Sequence, residues 1–305
     1  MTDSPAAAPP AGPGDGLGLI GVAFGRGARE QGCADGPEAL RRAGLVEELR
    51  RRGVAAAWRA TLTEEPRAAE PAEAVARICR PLAAMTEDMA RQGAPAAVIG
   101  GDHSIAIGTW SGVARALRAR GPLGLVWIDA HLDSHVPATT PSGAIHGMPL
   151  AALLGFGDPR LTRIAGRQPA VLPWHACIVG ARSWEPEERA LLARLGVRIF
   201  FMAEVRRRGL PAVLEEALAI AATGTAGVGL SIDCDAVDPS DAPGVGSPVA
   251  GGLRAPALTG ALSALCRRTR FATVEIAEFN PHLDRAGATA RLVRDLLAAT
   301  AGREG

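Results

Sequence analysis

The chain has 305 residues, a formal net charge of +1 and 48% hydrophobic residues. That is material for one large or two ordinary domains, and the even charge balance excludes the basic excess expected of nucleic-acid or membrane-surface binders. Lysine and tyrosine are absent, all 33 cationic residues being arginine, so Schiff-base, P-loop-lysine and tyrosine-acid chemistry are excluded as well.

Met1–Gly16 is rich in Ala and Pro, lacks a basic segment and reads as a disordered tail, not a leader. Apolar runs then alternate with Arg/Glu/Ala stretches. In chain order they predict a strand at Leu17–Ala23, helices at Pro37–Arg52 and Ala72–Gln92, and a strand at Ala96–Ile99. Next come a helix at Ser111–Arg120, strands at Leu123–Ile128 and Ala176–Val179, a helix at Pro186–Leu195 and a strand at Val197–Phe201. A helix at Val213–Ala222, a strand at Gly227–Ile232, a helix at Pro256–Thr269, a strand at Thr273–Ile276 and a helix at Ala286–Ala301 complete the chain. Strands without polar alternation need helices on both faces, which predicts a wound α/β domain with a mostly parallel sheet over residues 17–305. The weakly polar run Ala217–Ile232 is too short and broken to span a bilayer. Five scattered cysteines without a C-x-x-C pair read as reduced thiols of a cytoplasmic protein.

Ligands of such folds bind beyond the carboxyl ends of the strands, and three of those ends concentrate Asp and His. They are Gly100-Gly101-Asp102-His103-Ser104, Asp129-Ala130-His131-Leu132-Asp133-Ser134-His135 and Asp233-Cys234-Asp235-Ala236-Val237-Asp238. In extended backbone Asp129, His131 and Asp133 share one face, as do Asp233 and Asp235, while Ala130, Leu132 and Cys234 point to apolar packing. Clustered carboxylates at buried strand ends repel one another unless something compensates, and no arginine lies inside these motifs. Two divalent cations bridged by Asp129 and Asp233 fit this hard-oxygen and imidazole set. They would leave a bridging position for a water whose pKa falls from about 15.7 towards roughly 7. A lone Asp-x-Asp is ordinarily a turn or cap, and a Gly-Gly pair a turn; three such motifs at strand ends of one chain point to chemistry.

Together the three motifs resemble the signatures of the ureohydrolases, the family of arginase, agmatinase, guanidino-acid hydrolases and formimidoylglutamase. The resemblance implies a three-layer α/β/α domain, two Mn(2+) per subunit, a small guanidino substrate and a trimeric or hexameric homo-oligomer. Carried over residue by residue, it makes His103, Asp129, Asp133 and Asp233 ligands of one manganese, and Asp129, His131, Asp233 and Asp235 ligands of the other. Asp133 would also orient the bridging hydroxide, with Asp102 and Asp238 shaping the surrounding loops. The ligand set itself leaves cobalt and nickel open beside manganese.

Gly36-Pro37-x-x-Leu40-Arg41-x-Ala43-Gly44-Leu45 and the loop Pro137–Pro149, with its His146-Gly147, resemble arginases in particular. This implies His146 as proton shuttle to the leaving amine, a task suited to an imidazole. It also implies Glu278 as partner of the guanidinium, which a carboxylate can accept through two parallel hydrogen bonds. Ser247 stands where arginases usually have threonine. Ser142 retains a contact to the substrate's α-carboxylate, but the two asparagines that accompany it in arginases are His135 and Ala144 here. Glu185 replaces the usual aspartate for the α-amino group, and Glu188 adds a further carboxylate. His135 reads equally as a carboxylate donor, an extra metal ligand or a supporting histidine. L-arginine cleavage to L-ornithine and urea is therefore the expectation, with Nω-hydroxy-L-arginine, agmatine or a guanidino acid as alternatives. A two-metal phosphoesterase would need further His ligands downstream, and a non-catalytic relative would not need all six ligands, His146 and Glu278.

Overall fold

The computed structural model describes residues 16–64 and 69–301. Of the expected tail Met1–Gly16, all but Gly16 lies outside the described residues. Among the described residues eight strands form one sheet: β1 (Leu17–Ala23), β2 (Ala56–Thr63), β3 (Ala96–Ile99), β4 (Leu123–Ile128), β5 (Val171–Val179), β6 (Arg198–Phe200), β7 (Gly227–Asp233) and β8 (Thr273–Ala277). Their order is β2-β1-β3-β8-β7-β4-β5-β6, and every pairing is parallel.

Both faces of the central strands are buried, as their unbroken apolar runs require. In β4, Val126 and Ile128 join one core with Leu214, Leu258 and Leu297, while Leu125 and Trp127 face the other way, into a core with Trp110 and Val113. Helices 36–51, 210–222, 255–266 and 288–300 thus cover one face, and 71–91 and 106–117 the other. The result is a three-layer α/β/α fold. Each fully buried Leu, Ile, Val or Phe contributes roughly 1.5–3 kcal/mol of burial free energy.

Three departures from the sequence reading have physical causes. Strand β2 escapes the periodicity because it is an edge strand of mixed Ala, Thr and Arg, largely half-buried. The expected helix Pro37–Arg52 is two helices, Gly36–Arg42 and Leu45–Arg51, separated where Gly44 turns left-handed at φ 76°. A further short helix, Met202–Arg208, follows β6; its arginine-rich segment shows little apolar pattern. Among the described residues no helix is long and apolar enough to cross a membrane.

Candidate active site

The neighbours β3, β8, β7 and β4 run in one direction, so the segments that leave their carboxyl ends meet above the middle of the sheet. Each segment is held by its own backbone bonds. After β3, Gly101 lies so close to the Phe24 carbonyl that any Cβ would collide with it. Asp102 then accepts from the backbone N–H of Ser104 at 3.0 Å and of Gly27 at 2.8 Å, opening a short 3-10 turn that starts with His103.

After β7, Asp233 accepts from the Asp235 N–H at 2.7 Å, and after β4, Asp129 accepts from the His131 N–H at 2.7 Å. The capping and chemical readings of Asp-x-Asp are thus compatible: one carboxylate oxygen shapes the turn and the other faces inward. The extended alternation expected here does not persist. Cys234–Ala236 is a 3-10 turn, and Asp133 sits at φ 47°, so turns rather than a continuing strand gather the side chains. Ala130, Leu132 and Cys234 are nevertheless fully buried. Glu278, just past β8, also has positive φ, 66°; such conformations cost about 1–3 kcal/mol each and persist where surroundings over-determine them.

His103 Nδ1 lies 3.2 Å from Asp129 Oδ2, 3.2 Å from Asp133 Oδ2 and 3.0 Å from Asp233 Oδ2. Beside it, His131 Nδ1 lies 3.5 Å from Asp129 Oδ1 and 3.1 Å from Asp235 Oδ2. His103–Asp129–Asp233 and Asp129–His131–Asp235 can each converge on one ion, with Asp129 common to both. Among the described residues, buried His103 Nδ1 and Asp133 Oδ2 have no hydrogen-bond partner, which is costly unless a cation answers them. Burial and the neighbouring Asp129 push the Asp133 carboxyl up to about 7. Burial, Asp235 and Asp129 push Asp233 well above the usual carboxylate range. The donor set fits hard divalent cations.

Residues around this cluster fix its orientation. Trp127 stacks on the His103 ring at 4.1 Å and donates to Asp129 Oδ2 at 2.9 Å. Ser231 bonds His103 Nε2 at 3.0 Å and donates to buried Glu275 at 2.8 Å, and Trp110 donates to the same Glu275 oxygen at 3.1 Å. Sequence reasoning missed Trp127 and Ser231, although both stand two residues before a cluster aspartate on the same strand face, a visible signal. Glu275 thus supports the cluster from behind through Ser231 and Trp110. Asp238 accepts from the N–H groups of Gly251 and Gly252, which folds the loop after β7.

A cavity of about 360 Å³ opens from the cluster to the surface. His146 and Glu278 sit in it, with His146 Nδ1 2.9 Å from Glu278 Oε1, and the same Glu278 oxygen accepts from the His103 N–H at 2.9 Å. Burial would lower the His146 pKa, but the Glu278 carboxylate outweighs it and holds it at about 9. At the mouth, His135 Nε2 lies 3.0 Å from Glu185 Oε2 and 3.5 Å from Glu188 Oε2, while Nδ1 faces the Thr139 hydroxyl at 3.1 Å. Glu185 and Glu188 form a reciprocal cap on helix 186–195. Ser142 and Ser247 also line the cavity. So do Arg29 and Glu30, which carried no motif and were missed.

The sequence profile of the Arginase family matches residues 15–302. The chain is 39% identical to the arginase of Bacillus caldovelox over 297 residues, 94% of this chain and 98% of that one. The crystal structure of arginase from Bacillus cereus superimposes with a TM-score of 0.88 at 36% identity, covering 95% of this chain and 99% of that one. That of Entamoeba histolytica arginase in complex with L-ornithine gives 0.87 at 29% identity, covering 95% and 98%.

Proposed function

Because the chain belongs to the Arginase family, and so is a metal-dependent hydrolase of guanidino C–N bonds, we propose that it cleaves L-arginine to L-ornithine and urea with two manganese ions per subunit. His103, Asp129, Asp133 and Asp233 would hold one ion, and Asp129, His131, Asp233 and Asp235 the other. Such ions supply Lewis acidity and a water acidified enough to act as nucleophile at neutral pH.

The protein's own groups do the rest. Glu278, fixed by the His103 N–H, accepts hydrogen bonds from the planar guanidinium and sets its carbon over the cluster. Asp133, whose Oδ2 faces the His103 imidazole at 3.2 Å, accepts a hydrogen bond from the attacking water through its other carboxylate oxygen and aims its lone pair. Breakdown of the tetrahedral carbon expels the δ-nitrogen, which needs a proton. His146, with a pKa of about 9, carries one at neutral pH and delivers it. Glu185 and Glu188 receive the α-ammonium group, Ser142 and Ser247 hydrogen-bond the substrate, and His135 positions Glu185. Five free cysteines, all buried, support a reducing cytoplasmic setting; we further place the chain in a homo-oligomer, trimer or hexamer.

The observation that carries this reading is His103 Nδ1, buried within 3.2 Å of three carboxylates and without a hydrogen bond. The test is to load the chain with Mn(2+), measure bound metal, and assay urea and the co-product from L-arginine, Nω-hydroxy-L-arginine, agmatine and a guanidino acid. Two ions per chain and ornithine from arginine are expected. Turnover of another compound with none of arginine would overturn the substrate, and one ion per chain would overturn the binuclear assignment.

A further inference from the structure

The mouth of the cavity holds a cation that the reading above leaves unused. Arg29 is exposed on the segment after β1 and lines the cavity beside Ser142 and Ala144. Its segment is not loose. Two residues before it, Gly27 donates to buried Asp102 at 2.8 Å and accepts from the His146 N–H at 3.1 Å. Its guanidinium is steered as well, because Nη2 donates to the Ser142 carbonyl at 3.3 Å.

Among the described residues Arg29 makes no ion pair. A guanidinium carries five N–H donors in a fork that matches a carboxylate, and most of them face solvent at the cavity mouth. Three other donor groups near the mouth already have partners within the protein. His135 is bonded to Glu185 and Thr139, the Ala144 N–H to Ser142 Oγ at 3.1 Å, and Ser142 Oγ, also paired with the Thr140 hydroxyl at 3.3 Å, keeps one further hydrogen bond for the substrate. Among the described residues Arg29 is also the one arginine that lines the cavity, beside the carboxylates Glu30, Glu185 and Glu188.

We propose that Arg29 binds the α-carboxylate of the substrate, so that the mouth selects a zwitterionic amino-acid head: ammonium on Glu185 and Glu188, carboxylate on Arg29. This rests on the arginine reading of the preceding subsection. The experiment compares L-arginine with agmatine, which lacks only the carboxylate, in the manganese-loaded wild type, Arg29→Gln and Arg29→Lys. L-ornithine binding by calorimetry supplies a readout independent of turnover.

Arg29→Gln raises KM for arginine and Kd for ornithine about tenfold, the lower end for a charge-assisted hydrogen bond, with kcat within twofold and agmatine kinetics unchanged. Arg29→Lys recovers part of the loss. A wild type that prefers arginine, paired with an Arg29→Gln variant that keeps the same arginine-to-agmatine ratio, overturns the Arg29 assignment alone. A wild type that prefers agmatine overturns the substrate reading and this assignment with it. Because Arg29 is exposed, an unchanged melting temperature separates these outcomes from misfolding.

Discussion

The inner and outer ends of the cavity are built on different physical terms. At the inner end Asp129 is 0% and His103 1% exposed, two residues hold positive φ, and carboxylates crowd an imidazole nitrogen that no hydrogen bond satisfies. At the mouth the Glu185 side chain is 50% exposed, and Arg29 and Ser142 stand in solvent. Removing one partner from a buried charge cluster strands the others in a poorly solvated place, whereas water screens the same loss at the surface. On the proposed mechanism the inner end would therefore set the reaction and tolerate almost nothing, while the mouth would set the substrate and could drift.

The strongest attempt to break that contrast is Asp129→Asn. Asp129 is the residue common to both clusters and holds the His131 backbone with its other oxygen. Turnover should fall by about 10³ or more, with bound metal reduced below that of the wild type. A variant retaining a tenth of the activity would show that the inner end is not over-determined.

His146→Asn comes next, with an expected loss of about 10² in kcat, within the range for a general acid or base, and little change in bound metal. Its pH behaviour sharpens the point. Glu278 holds the imidazole at about 9 against the opposing effect of burial, so the proton it would donate is lost as pH rises through about 9, and kcat should fall along that limb. Glu278→Gln removes the carboxylate, so residual activity should decline from a lower pH. The pair's stabilisation has the same sign: a raised histidine pKa favours the fold fully below about 6.5, and that contribution disappears as pH rises through about 9. An alkaline limb unmoved by Glu278→Gln would detach His146 from the leaving group.

Legibility in the sequence divides along the same line. Strands β1, β3 and β4 have the bounds their apolar runs predict, because strands buried on both faces leave no room for polar interruption. The Asp and His side chains sit within a few residues of those strand ends, so motif spacing largely determines where they meet. Edge strand β2 and the break at Gly44 were not legible, since neither depends on an apolar pattern. The mouth is harder still. Arg29 touches a residue 113 positions away, and nothing local announces the meeting of two loops. Likewise nothing in the sequence around His135 announces Glu185 and Thr139 at its two nitrogens.

At the mouth, Glu185→Gln should raise KM for arginine about tenfold and leave kcat within twofold, since it removes a charge facing the α-ammonium group without touching the inner cluster. His135, hydrogen-bonded to Glu185, holds its carboxyl below the usual range. A fall in kcat equal to the rise in KM would mean that the two ends of the cavity are coupled.

The smallest effect belongs to His135→Ala. His135 is itself buried, but it is bound to a half-exposed carboxylate whose backbone is already fixed by the reciprocal cap with Glu188. Without the imidazole, Glu185 keeps its charge and its place on helix 186–195 and loses only its rotamer restraint, at a well-hydrated site where such pairs are worth about 0.2–1 kcal/mol. KM for arginine should rise about twofold to fivefold, bound metal should stay at the wild-type value, and the Glu185→Gln variant should be almost insensitive to the added change. If His135→Ala instead lowers bound metal, His135 is an ion ligand joined with Glu185 and Glu188, and the mouth is chemically an extension of the inner end.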